Sequence, residues 1–188
     1  YRDVNLYIGE RTHILPDAAR IHTVELEDTY AVLTVDTKIR NSGTAARRLR
    51  LVCEIFEEEK TETAVVCMEN TISLLGQERT VTHMRFSLEQ PLCWSPEYPN
   101  LYRCRLTLYE GERRLDVHEE TFGVRTIQAD AKRGLRINGV PVRLRGACIH
   151  HDNGILGATT LYQAEEFRVR KLKEAGFNSI RSAHHPAG

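Results

Sequence analysis

The stretch AVLTVDTKIR, Ala31 to Arg40, places an apolar side chain at nearly every second position. Ala31, Leu33, Val35 and Ile39 share one face of an extended chain, while Val32, Thr34, Asp36, Lys38 and Arg40 share the other. Successive side chains on a strand point to opposite sides, so a period of two marks a strand with one face buried and one in water.

The same alternation continues from Val4 to about Asp130. Leu49, Leu51, Cys53 and Ile55 alternate with Arg48, Arg50, Val52, Glu54 and Phe56, and Tyr102, Cys104, Leu106 and Leu108 alternate with Arg103, Arg105 and Thr107. Turn-forming clusters separate the runs: Asn41-Ser42-Gly43, Gly76-Gln77-Glu78 and Glu110-Gly111-Glu112. Roughly seven strands at this spacing, with no helix among them, predict an antiparallel two-sheet sandwich, Ig-like in architecture. The Cys…Trp…Cys spacing of antibody domains is missing, because the single Trp94 lies beside Pro96 in the loop-like WSPEYPNLY.

Near Ile137 the pattern changes. Asn138-Gly139 is a two-residue hairpin signal, and Pro141 suits a strand start or an edge. After VRLRGACIHHDNGILGA comes a helical stretch, for which Thr160 as N-cap with Gln163 three residues on resembles a capping box. Leu161, Ala164, Val169, Leu172 and Ala175 fall on one helical stripe, with Phe167 outside it. Gly176 can end the helix in the left-handed conformation, and residues 178–183 read as a second strand. Strand, loop, helix, strand predicts a parallel βαβ unit.

Lys plus Arg and Asp plus Glu number 26 each, for a formal net charge of +0, so nothing draws the chain to nucleic acid or to an anionic membrane. No run of about 18 apolar residues is present, and YRDVNLYIGER lacks the layout of a signal peptide. A chain that starts on Tyr1, and whose one βαβ unit cannot bury both sides of its strands, is expected to be a piece of a longer protein, itself expected in the cytoplasm. The five cysteines, Cys53, Cys67, Cys93, Cys104 and Cys148, are odd in number and lack a CxxC spacing. They read as reduced, buried thiols rather than a disulfide framework or a zinc knuckle.

Functional side chains of parallel α/β sheets gather at the carboxyl ends of the strands. His150, His151 and Asp152 follow the first strand of the βαβ unit, and His184 and His185 follow the second. Three readings of the cluster stand side by side: a metal site, histidines satisfied by backbone hydrogen bonds, and a polar pocket with Arg181 as a fixed cation. Metal chelation is disfavoured because neighbouring strand residues point to opposite faces, so His150 and His151 cannot both aim inward without a bend. The pocket suits a polyhydroxylated ligand. A Cys148–His150 nucleophile pair lacks any accompanying oxyanion feature, and GILGA is not a phosphate loop.

With those residues in view, the chain resembles glycoside hydrolase family 2, the group of β-galactosidases, β-glucuronidases and β-mannosidases. RDVNLY is similar to the last strand of that family's N-terminal jelly-roll domain, WSPEYPNLY and FGVR to the final strands of its Ig-like sandwich, INGVPVRLRG to the start of its (β/α)8 barrel, and NSIRSAHHP to the second barrel strand. The resemblance implies a jelly-roll tail over residues 1–8, a sandwich over 9–127 and the start of a truncated catalytic TIM barrel over 128–188. It also implies that His150, His184 and Arg181 contact or support the sugar, that Asp3 reaches the site from the jelly-roll domain near a sodium position, and that Asp152 falls where several members have an acid.

Retaining hydrolysis of a terminal β-galactoside by two glutamates is the implied activity. Both glutamates are expected beyond Gly188, so no catalytic residue is expected here and the 188 residues alone are expected to be inactive. No metal ligand is assigned, no cofactor is firmly implied, Na or Mg being open for the full-length enzyme, and a homo-oligomer is expected. The departures are Cys148-Ile149, where many relatives have Asn-Arg or Asn-Lys, and Ala183 in place of a serine. β-Glucuronidase, β-mannosidase or a noncatalytic carbohydrate- or protein-binding sandwich are the alternatives.

Overall fold

The computed structural model describes residues 4, 6–58, 63–150 and 153–183. Two compact units divide the chain: Ile8–Val140, and Tyr1–Tyr7 with Pro141–Gly188.

The first unit is the antiparallel sandwich that the period-two pattern predicts. Its strands are β1 (Thr12–Leu26), β2 (Tyr30–Asn41), β3 (Arg47–Glu57), β4 (Val66–Leu74), β5 (Arg79–Glu89), β6 (Tyr102–Glu110) and β7 (Arg113–Phe122). They form two sheets, ordered β1-β2-β5 and β4-β3-β6-β7. The alternating apolar faces meet between them: Ala31, Leu33, Val35 and Ile39 from β2, Leu49, Leu51, Cys53 and Ile55 from β3, and Tyr102, Cys104, Leu106 and Leu108 from β6 are buried in one cluster. Each large side chain so buried contributes about 1.5–3 kcal/mol relative to exposure.

Asn41, expected as a turn residue, is instead fully buried at the end of β2. Its Oδ1 accepts from Thr12 Oγ1 and from the Gly43 amide, each at 3.0 Å. Its Nδ2 donates to Ala45 O at 2.8 Å and Leu75 O at 2.9 Å. Four bonds satisfy the amide, so a polar group sits in the core without a desolvation penalty left open.

At one corner of the sandwich the segments WSPEYPNLY and FGVR meet. Trp94 N donates to Val124 O at 2.9 Å, the Tyr102 hydroxyl accepts from Leu92 N at 2.8 Å, and Asn138 Nδ2 donates to Trp94 O at 3.0 Å. A Cβ on Gly123 would lie 2.7 Å from Trp94 Cβ, so only glycine admits the indole there. Beyond it, β8 (Ile127–Asp130) pairs antiparallel with β9 (Gly134–Ile137). Asn138 at φ 50° and Gly139 at φ 75° then turn the chain into β10 (Val140–Pro141), as the Asn-Gly signal predicts.

In the second unit β11 (Gly146–Ile149) and β12 (Ser179–Ser182) pair in parallel, with α1 (Tyr162–Glu174) between them in sequence. Two expectations for α1 are corrected. Its N-cap is Leu161, without a side-chain cap bond, not Thr160. Of the stripe, only Ala164 and Leu172 are half-buried, while Leu161, Val169 and Ala175 are exposed. Among the described residues α1 buries no side chain fully. Its C-terminus does end at Gly176, with φ 86°, where Gly176 N bonds Lys173 O and Phe177 N bonds Leu172 O, both at 3.0 Å, the Schellman pattern.

The cysteine expectation holds in part. Cys53 and Cys104 are buried, with sulfurs 3.7 Å apart. That shared contact, then burial, pushes the Cys104 thiol up, which keeps it protonated. Cys67 and Cys148 are exposed instead, because Cys67 pairs with Glu54 on the water face of an edge strand and Cys148 stands on the small parallel sheet. Among the described residues no helix is long and apolar enough to cross a membrane.

Candidate functional site

The βαβ unit is built so that two strand ends come out side by side. The register pairs Gly146 with Ser179, Ala147 with Ile180, Cys148 with Arg181 and Ile149 with Ser182. One further bond, Ala183 N to Ile149 O at 3.3 Å, extends the pairing to the residue beyond β12. His150 therefore leaves β11 at the level where Ala183 leaves β12. A Cβ on Gly146 would meet Ser179 Oγ at 2.6 Å, so glycine permits the close approach at the other end of the pair.

Asn178, which the sequence reading did not single out, fixes where both strands begin. Its Oδ1 accepts from Arg145 N at 2.8 Å, its Nδ2 donates to Arg143 O at 3.0 Å, and its own amide bonds Arg145 O at 3.0 Å. Arg145 Nε also donates to Gly176 O at 3.0 Å, tying the same strand entrance to the helix C-cap. An asparagine at the start of a predicted parallel strand was the available signal, because its short amide can bond two backbone segments at once.

On the loop side, Arg168 of α1 donates to the His150 carbonyl at 3.3 Å and pairs with Glu165 at 3.5 Å. Asn153 Nδ2 donates to Thr159 O at 2.9 Å and to Glu165 Oε1 at 3.0 Å, closing the loop that carries the short 3₁₀ turn Gly154–Leu156. Glu165 is thus engaged in holding the loop, away from any reacting position. The backbone at His150 is held from behind by the helix, and the imidazole is exposed at the strand end.

Of the site residues read from the sequence, the structure brings His150 and Arg181 to the same two-stranded sheet, both exposed. Asp3, Asp152 and His184, together with His151 and His185, lie outside the described residues. Among the described residues no group of three His, Cys, Asp or Glu side chains is placed to hold a metal ion; the chelating reading drew on positions beyond them. Cys148 stands in register with Arg181 and is exposed. An imidazole and a guanidinium exposed on one sheet can bind hydroxyl groups and orient them; neither is a carboxyl group of the kind glycoside cleavage uses.

Comparison with known proteins gives a single family. The family described as Glycosyl hydrolases family 2 matches residues 12–125. A β-galactosidase of Bacteroides ovatus, BoGH2A, is 28% identical over 99% of this chain and 22% of its own length. A β-glucuronidase of Bacteroides fragilis is 28% identical over 99% of this chain and 27% of its own length. The crystal structure of a glycosyl hydrolase family 2 member from Bacteroides cellulosilyticus superposes with a TM-score of 0.90 at 29% identity, over 95% of this chain and 24% of that one. The chain thus spans about a quarter of the length of these relatives or less.

Proposed function

The chain belongs to glycosyl hydrolases family 2, and on that premise we propose that it is part of a longer retaining β-glycosidase acting on terminal β-D-galactosides. In this reading residues 1–8 are the tail of a jelly-roll domain, 9–127 the sandwich and 128–188 the start of the (β/α)8 barrel. The observation that supports the reading is the parallel register of β11 and β12, with Arg181 on β12 and His150 just beyond β11; barrels bind ligands at the carboxyl ends of such strands. His150, His184 and Arg181 orient the sugar and strengthen their hydroxyl contacts as the oxocarbenium-like transition state forms. Asp152 and Asp3 complete the rim.

The chemistry needs two carboxyl groups about 5–5.5 Å apart, one nucleophile and one acid/base. Both are assigned to the parent protein outside these 188 residues, which supply the spacer sandwich and part of the pocket. A β-glucuronidase is the second reading, favoured by the B. fragilis relative at the same 28% identity as the galactosidase. A sugar-binding sandwich finds less support: Trp94, its one tryptophan, lies under the Arg125 guanidinium at 4.2 Å and against Gly123, so its ring is not a free stacking platform.

Turnover of nitrophenyl β-galactoside, β-glucuronide and β-mannoside by the full parent tests the proposal. Hydrolysis led by the galactoside, with the 188-residue chain inert, is expected. Preference for the glucuronide would select the second reading, and an inert parent, or an active 188-residue chain, would contradict the assignment.

A further inference from the structure

Five arginines of the sandwich unit are half-buried: Arg50, Arg103, Arg105, Arg125 and Arg136. Four of them meet a carboxylate. Arg50 pairs with Glu69 at 3.4 Å, Arg103 and Arg105 share Glu119 at 3.3 and 2.7 Å, and Arg136 pairs with Asp130 at 2.8 Å. Arg125 is the exception: among the described residues its guanidinium has the Trp94 ring, 4.2 Å away, and no carboxylate. Its position is nonetheless fixed, since its backbone amide donates to Thr23 Oγ1 at 3.3 Å.

A cation withdrawn from water and left without a counter-ion is costly, and a stack on one aromatic face offsets only part of that cost. Arg125 also borders a half-open cavity of about 400 Å³, shared with His22, Thr23, Thr121, Phe122 and Gly123 and flanked by Ile21 and Ile127. Among the described residues its charged or titratable lining groups are Arg125 and His22, and no acid lines it. A guanidinium, two hydroxyl-bearing threonines and the absence of any lining acid among the described residues match the charge and hydrogen-bonding needs of one carboxylate.

We propose that this cavity is a docking socket for an acidic side chain, Asp or Glu, carried by a segment of the parent protein outside residues 1–188. The socket fastens the sandwich to the rest of the enzyme through a bidentate Arg125–carboxylate pair shielded by Trp94. The relatives' lengths leave room for such an occupant: the matched region is 22% of one and 27% of the other, so most of such a protein lies outside this chain. The socket rests on the parent being longer, as proposed above, and not on its substrate.

The test compares Arg125→Gln in the full parent and in the 188-residue chain. The socket predicts a parent whose unfolding midpoint falls by several degrees and whose sandwich is released faster by limited proteolysis, while the same substitution leaves the midpoint of the 188-residue chain unchanged or slightly raised. Equal losses in both would make Arg125 a purely internal support, and no loss in the parent would mean no docking; either overturns the proposal. Sodium glucuronate titrated onto the 188-residue chain separates a free acid from a protein carboxylate. Absence of saturable binding is expected, and binding that Arg125→Gln abolishes would replace the socket with a small-molecule site. Activity measured on the same parent samples tells failure of the glycosidase reading apart, because a parent without turnover still reports docking through its midpoint.

Discussion

Asn41 shows what a single residue contributes and why its role was hidden. In the sequence, Asn-Ser-Gly marks a turn, and a turn does begin there. What the sequence does not show is that Leu75, 34 positions away, returns its carbonyl to the same amide while Thr12 approaches from the other side. Removing the amide takes a partner from the buried Thr12 hydroxyl and from the part-buried backbone groups of Gly43, Ala45 and Leu75, and a buried polar group left unpaired costs about 1–3 kcal/mol. Asn41→Ala is therefore expected to lower unfolding free energy by about 3 kcal/mol in urea denaturation. Ser42→Ala, beside it, should change stability by less than about 0.5 kcal/mol. A loss below about 1 kcal/mol at Asn41 would mean that water replaces the lost bonds.

Strands were the most legible elements, because a face that must be buried repeats every second residue and Leu33, Cys53 and Leu106 each obeyed that rule. The helix was less so. Its cap and stripe were read as if its partner surface were complete, and the described unit offers only β11 and β12. Cross-strand charge was not legible at all, since Glu119 meets its arginines only once β6 and β7 are in register, Arg105 opposite Glu119. Phe56 lies against the same two guanidiniums, 5.1 Å from Arg103 and 4.9 Å from Arg105. The Arg105 hydrogen bond, more than the opposing burial, holds the Glu119 carboxyl below its ordinary value. A carboxylate whose pKa falls on folding adds stability above its unfolded pKa, about 4.3, and loses that contribution as pH drops through the folded value. The midpoint difference between the wild type and Glu119→Gln should thus be small, as for exposed pairs, level from pH 7 to about 5, and shrink towards zero below about pH 4. A difference that widens on acidification would contradict this linkage.

At the scale of the whole molecule, the change of period near Ile137 leads to the strand, helix and parallel strand that the structure pairs as β11 and β12. The candidate site could be read only in part. The structure puts His150 and Arg181 on the parallel pair, where the sequence reading expected them; their contact with a ligand is the proposal. Asn178 and Arg168 were missed because they act through backbone carbonyls and amides, which carry no residue signature. The central claim is that the His150 imidazole, at the end of β11, touches the sugar in the parent enzyme. The most direct measurement is kcat/KM of the parent carrying His150→Ala on its best nitrophenyl glycoside, with the unfolding midpoint followed in parallel. The account predicts a fall of about 100-fold at an unchanged midpoint; an unchanged kcat/KM, or a loss that follows unfolding, would contradict it.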